Sequence, residues 1–95
     1  MIHEYLATGS ENAITGRELC DRTGLTMREL TQAIEKERRE GVPICANTGV
    51  NPGYYLAANQ REMQLYCDSL SRRASEIYKT REACAETIEM LPVEA

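Results

Sequence analysis

Histidine occurs once in the 95-residue chain, at His3, and the four cysteines, at positions 20, 45, 67 and 84, form no C-x-x-C pair. Zinc needs clustered Cys or His ligands, so no metal site is expected. Cys20 and Cys45 fall on apolar positions of predicted elements and read as plain buried thiols. No run of 18 apolar residues occurs, which excludes a transmembrane helix and gives no reason to expect a membrane partner. The opening Met1-Ile2-His3-Glu4-Tyr5 lacks the basic and long apolar regions of a signal peptide, so the expected compartment is the cytoplasm. A Gly-rich phosphate loop is missing, as is any carboxylate pair whose spacing would make an acid–base site. A chain this short also has little room for a deep pocket. Neither catalysis nor a cofactor is expected, nor, in 95 residues, a second domain to hold a small-molecule effector. Finally, a basic excess is lacking. The net charge is −4, from 11 basic and 15 acidic side chains.

What is present begins with two helix starts of the same chemistry. Thr15-Gly16-Arg17-Glu18 and Thr26-Met27-Arg28-Glu29 both have the spacing of a capping box, in which Thr accepts the N3 amide and Glu reaches back to the cap amide. Between them Gly24 can take the positive φ that a helix C-terminus favours. The pattern predicts a helix over 16–23, a tight turn and a helix over 27–40, a helix-turn-helix. Leu19 and Cys20 face inward on the first of these, and Leu30, Ala33 and Ile34 form the stripe of the second. Residues 2–8 predict a short opening helix with Ile2, Tyr5 and Leu6 on one face. Ala13-Ile14-Thr15 predicts a short strand, with Ile14 in the core. Gly41, then Pro43 to Ala46, a polar run, and Gly53-Tyr54-Tyr55-Leu56 predict a hairpin. Alternation along its second strand puts one of Tyr54 and Tyr55 in the core and the other on the surface.

A third box, Asn59-Gln60-Arg61-Glu62, opens a last helix that no Gly or Pro interrupts from 60 to 91. Met63, Cys67, Leu70, Ala74, Ile77, Arg81, Cys84, Ile88 and Leu91 alternate four and three apart. Such a repeat marks a coiled-coil seam, with small Ala74 and charged Arg81 as its weak points. The expectation is a homodimer built on this helix. The alternative is one amphipathic helix folded over its own domain. The chain thus divides into residues 1–58 and a helix over 59–92.

The order Ile14-Thr15, Glu18-Leu19, Gly24-Leu25-Thr26, Leu30, Ile34, Arg38, Gly41, Ile44 and Gly53-Tyr54-Tyr55-Leu56 resembles winged helix-turn-helix domains of the biotin-repressor N-terminal type. That group is found in bacterial and phage transcriptional regulators, and the resemblance covers about residues 2–58. It implies a mainly α, α+β winged helix: a three-helix core with a β-hairpin wing, here followed by the long helix. It also implies that the helix over 27–40 enters the major groove of double-stranded DNA while the wing tip meets backbone or minor groove. Two departures stand out. Glu37 occupies a position where the group has a core Leu, so its carboxylate is expected to reach solvent or pair with an Arg. The tip, Asn47 to Pro52, carries no Lys or Arg.

A groove reader needs long polar side chains on the first turns of its helix. The outward positions are Thr26, Met27, Arg28, Thr31, Gln32 and Glu35. Arg28 suits guanine, Gln32 adenine, Met27 a thymine methyl, and Thr31 a base or a phosphate. Glu35 could accept from a cytosine amine or repel the backbone. Thr15, Arg17, Lys36 and Arg39 are the phosphate candidates. The plainer reading of Arg28 and Gln32, four apart, is a solvated helix face. Residues 1–58 hold six basic against eight acidic side chains. Binding would therefore depend on local neutralisation and on dimerisation, weak in the monomer and strongly salt-dependent. The second functional reading is a winged-helix protein-interaction module without DNA binding, which the acidic balance and uncharged tip favour.

Overall fold

A computed structural model describes residues 1–94. The fold is mainly helical α+β: α1 (Gly16–Thr23), α2 (Met27–Arg39), β1 (Ile44–Asn47), β2 (Gly53–Leu56) and α3 (Gln60–Glu86), with short 3-10 turns at Ile2–Tyr5, Ser10–Asn12 and Ile88–Met90. No helix among the described residues is long and apolar enough to cross a membrane.

Local chemistry sets the helix boundaries. Thr15 and Thr26 cap α1 and α2, each accepting the amide three residues on at 3.1 Å. Only at Thr26 is the box reciprocal, with Glu29 accepting the Thr26 N–H at 2.9 Å. Glu18 turns instead to Arg22, at 2.8 Å. Gly24 ends α1 in the left-handed region, φ 77°, a conformation that costs a Cβ-bearing residue roughly 1–2 kcal/mol. At the third predicted box Asn59 caps α3, but Glu62 bonds the N–H of Ala58 (2.8 Å) and of Ser10 (3.2 Å) rather than that of Asn59. It thereby ties α3 to the turn at Ser10–Asn12.

The hairpin is antiparallel with Cys45 opposite Tyr55 and Ile44 opposite Leu56. The expected third strand reduces to one bridge, in which Ile14 and Tyr54 exchange both main-chain hydrogen bonds at 2.9 and 2.7 Å. Leu56 is further tied to Ala7 and Gly9. Gly53 is required here: its φ is 133°, and a Cβ would collide with the Ile14 carbonyl.

Because side chains alternate across a strand, the hairpin serves two cores. Ile2, Leu6, Ile14, Leu19, Leu30, Ile34 and Ile44 form the larger one, with Tyr54 and Leu56 packed against it. Cys45, Tyr55 and Tyr66 form the smaller one, with Met63 against it. Neither tyrosine of β2 is thus a plain surface residue: Tyr55 is buried under α3 and Tyr54 is half-buried on the larger core. Two further expectations are corrected. Tyr5 is exposed, because residues 2–5 tighten into a 3-10 turn and Leu6 enters the core from extended backbone. Cys20 is only half-buried, whereas Cys45 is fully buried, and burial pushes its thiol upward.

Glu37 lies on the buried stripe of α2, 4% exposed. It neither reaches solvent nor pairs with an Arg. Its carboxylate accepts the N–H of Ile2 (2.7 Å), the N–H of His3 (3.0 Å) and the His3 ring at Nδ1 (2.7 Å). Arg38, beside it, donates Nε to the Ile44 carbonyl at 2.9 Å and lies 4.9 Å from the centroid of the Tyr66 ring. It joins α2, β1 and α3. Its Nη2 is buried without a hydrogen-bond partner among the described residues, and the Tyr66 π-face partly offsets that loss.

The long helix corrects the last expectation. It ends at Glu86, not near 91. Thr87 bonds the Cys84 carbonyl with both its amide and its hydroxyl, tightening the chain into the turn at Ile88–Met90. Pro92 disfavours helix at the residue before it and has no N–H to continue the ladder. Ile88 and Leu91 therefore leave the seam. Met63 packs on the hairpin, its sulfur 3.8 Å from that of Cys45. The helix does not fold over its own domain: beyond Ser69, every residue of α3 except half-buried Ala85 is exposed.

Candidate nucleic-acid interface

The outward face of α2 is held by what its inward face does. Leu30, Ile34 and Glu37 are buried on one side, so Arg28, Gln32, Glu35 and Arg39, four and three apart, stand together on the other. All four are exposed, as are Thr26, Thr31 and Lys36. Thr31, Gln32, Glu35, Lys36, Arg39 and Glu40 line one shallow depression. Arg28 lies one turn closer to the amino end.

Several of these groups already have partners. The Thr26 hydroxyl is the helix cap, and its N–H holds the Glu29 carboxyl below the usual range, with the Thr26 hydroxyl adding to the effect. Thr31 donates its hydroxyl to the Met27 carbonyl at 2.9 Å, which leaves its acceptor capacity free. Glu35 draws Arg38 (3.2 Å) and Arg39 (3.8 Å), and Glu40 draws Lys36 (4.0 Å). The pairs of Arg39 and Lys36 are exposed and weak, which leaves these two cations available for exchange onto a phosphate, whereas Arg38 is committed to Ile44 and Tyr66. Among the described residues, Arg28 and Gln32 make no side-chain hydrogen bond or ion pair. That leaves their donors open to a ligand.

Thr15 and Arg17 belong to α1, not α2. Met27 joins the two: a Cβ on Gly16 would meet Met27 Cε at 3.2 Å, so the amino ends of both helices are adjacent. Met27 is 50% exposed. Arg17 is exposed and without a carboxylate partner among the described residues. Thr15, Arg17, Thr26, Met27 and Arg28 thus lie around one junction, with Thr31, Gln32, Lys36 and Arg39 extending down α2.

The hairpin tip is less free than its polar sequence implies. Asn47 and Asn51 both donate to the Ser10 carbonyl, at 3.2 and 2.9 Å, and pin the tip to the turn at Ser10–Asn12. Sequence spacing of 37 and 41 residues gives no signal for this. Also missed were Arg61, Arg72 and Arg73 of α3, which line a cleft facing the hairpin. A spacing of eleven residues puts Arg61 and Arg72 near one helical face, with Arg73 about a third of a turn round from it, but the cleft exists only because β1 lies opposite. Of the nine seam positions, Cys67, Leu70, Ala74, Ile77, Arg81 and Cys84 are exposed on α3. Met63 is in the smaller core, and Ile88 and Leu91 lie past the helix end. No group of three or more metal-ligating side chains converges among the described residues.

Comparison with family models, with curated proteins and with solved structures finds no match for the chain.

Proposed function

We propose that the chain is a winged helix that binds duplex DNA, as a small dimeric regulator of transcription of the bacterial or phage kind. In this reading α2 enters the major groove and the hairpin is the wing. The observation that carries it is the exposed stripe of α2, on which Arg28 and Gln32 have no intramolecular partner among the described residues while the opposite face is locked in the core. A guanidinium and a carboxamide, four residues apart on the first two turns of such a helix, match the bidentate chemistry of guanine and adenine edges. Thr15, Arg17, Lys36 and Arg39 supply phosphate contacts at the margins, and α3 supplies the dimer contact.

The test is selection from a randomised duplex pool at two salt concentrations, beside an Arg28→Ala, Gln32→Ala double variant. Enrichment of an inverted repeat that the double variant does not retain is the expected result. No enrichment at either salt sinks the reading. The interaction-module reading is favoured by Glu35 and Glu40 on the same depression and by the uncharged hairpin tip. It predicts no selected sequence at all.

A further inference from the structure

Eleven Lys and Arg side chains occur in the chain. Six of them, Arg22, Lys36, Arg38, Arg39, Lys79 and Arg81, lie within 4.0 Å of a carboxylate. Among the others, Arg61, Arg72 and Arg73 line one cleft of about 700 Å³ between α3 and the hairpin. In a chain of net charge −4, three arginines without a carboxylate partner among the described residues thus gather on one lining.

The cleft is half open, and its lining mixes polar groups with apolar ones, exposed Leu65 the largest of these. One wall is α3, where Arg61 and Arg72 are eleven residues apart, about 16 Å at 1.5 Å per residue, and point within roughly 20° of each other about the axis. The other wall is β1 and the start of the tip, where Asn47 and Thr48 are small and uncharged. Asn59 and Ser69 add neutral polar groups. The single acid on the lining, Glu62, already has its two oxygens taken by the N–H groups of Ala58 and Ser10. Tyr55 and Tyr66 close the floor and are themselves buried, so no aromatic face is offered for base stacking. What remains is a row of guanidinium forks beside an uncharged wall. That suits a line of phosphates, which on one strand of a duplex follow at about 3.4 Å along the axis.

We propose that this cleft holds the sugar–phosphate backbone of a nucleic acid, with Arg61, Arg72 and Arg73 on the phosphates and Asn47 on the far side of the strand. The hairpin then contributes to binding through cations supplied by α3, which accounts for a tip without Lys or Arg. The cleft deepens the DNA-binding reading and, for duplex, rests on it.

The test uses the full chain and three forms of it: the wild type, an Arg61→Gln, Arg72→Gln, Arg73→Gln triple variant, and the corresponding triple Arg→Lys variant. Binding to a mixed-sequence duplex and to a single strand of the same length is measured by fluorescence anisotropy across salt concentrations. Losing these contacts on duplex is expected to reduce the salt slope by roughly 2 to 3, at about 0.9 per phosphate. The Lys variant, which keeps the charge, is expected to retain the slope with lower affinity. Duplex binding with equal slope in the wild type and the Gln variant overturns the cleft and leaves the α2 reading standing. Binding of single strand only, lost in the Gln variant, overturns the duplex reading and upholds the cleft. No binding of either nucleic acid overturns both.

Discussion

The carboxylate of Glu37 accepts the main-chain N–H of Ile2 at 2.7 Å, across 35 positions of sequence. A charge on the apolar stripe of α2 is thereby made into the clasp for the amino-terminal turn. The same carboxylate takes the His3 N–H and the His3 ring, so three donors converge on one buried acid.

Replacing that acid separates two energies. Glu37→Leu adds apolar burial, a gain of about 1.5–3 kcal/mol. It also removes hydrogen bonds to a charged acceptor, each about 1.5–3 kcal/mol, and orphans the buried Ile2 N–H. The second effect outweighs the first, and a net loss of about 2 kcal/mol or more is expected by urea unfolding. Hydrogen exchange at the Ile2 and His3 amides should accelerate together in the variant. A Glu37→Leu protein as stable as the wild type would mean that the clasp contributes nothing beyond filling space.

The same contact sets a pH dependence. Burial by itself raises the Glu37 carboxyl, but the His3 N–H, the His3 ring and the Ile2 N–H together bring it below the ordinary carboxylate value. Its contribution is therefore complete above the unfolded value, about 4.3, and is lost as pH falls through the lower folded value. Glu29, lowered by the Thr26 N–H, and Glu62, lowered by the Ala58 and Ser10 N–H groups, have the same sign. Urea midpoints taken from about pH 7 down to about pH 3 should stay level and then drop. In Glu37→Gln the drop should be shallower, and a curve parallel to the wild type would refute the assignment.

How far these relationships could be read in advance depends on their range. Thr26 and Glu29 are three residues apart, so their mutual capping is a local event written in adjacent letters. The left-handed Gly24 is equally local. Glu37 breaks the stripe of α2, which marks it as needing a partner. The partner, however, comes from the far end of the chain, and no spacing rule names it. The arginines of the cleft are legible only as an i, i+11 recurrence, without the hairpin wall that makes them converge. The end of α3 misleads for another reason. Pro92 is the visible stop, yet the hydroxyl of Thr87 ends the helix more than a turn earlier.

Gly24 and Gly53 offer a matched comparison of two uses of glycine. Both have positive φ, but nothing lies within 4 Å of a Cβ on Gly24, whereas a Cβ on Gly53 would strike the Ile14 carbonyl. Gly24→Ala should cost only the conformational term, about 1 kcal/mol. Gly53→Ala must also part the Ile14–Tyr54 bridge, with its two main-chain hydrogen bonds, and should cost roughly 2 kcal/mol or more. Melting temperatures read the difference, at about 4–8 °C per kcal/mol for a domain of this size. Equal shifts would show that the hairpin yields without strain at Gly53.

The exposed half of α3 makes the dimer proposal testable without DNA. From Leu70 to Glu86 the helix is exposed at every residue but half-buried Ala85, and its ion pairs, such as Lys79 with Glu76 at 3.1 Å, are surface contacts. An isolated helix of this length is marginal in water, so lasting helicity there needs a second chain. Leu70, 41% exposed, and Ile77, 70% exposed, are the largest apolar groups of the shortened seam and the natural contact points. The wild type should sediment as a dimer, and its far-UV helical signal should rise with concentration. Leu70→Glu combined with Ile77→Glu should sediment as a monomer and lose helicity only from this segment, because neither residue touches the core. Monomeric wild type with helicity independent of concentration would remove the dimer. The cations of α1 and α2 would then have to hold DNA without a second half-site, which an acidic chain could do only at low salt.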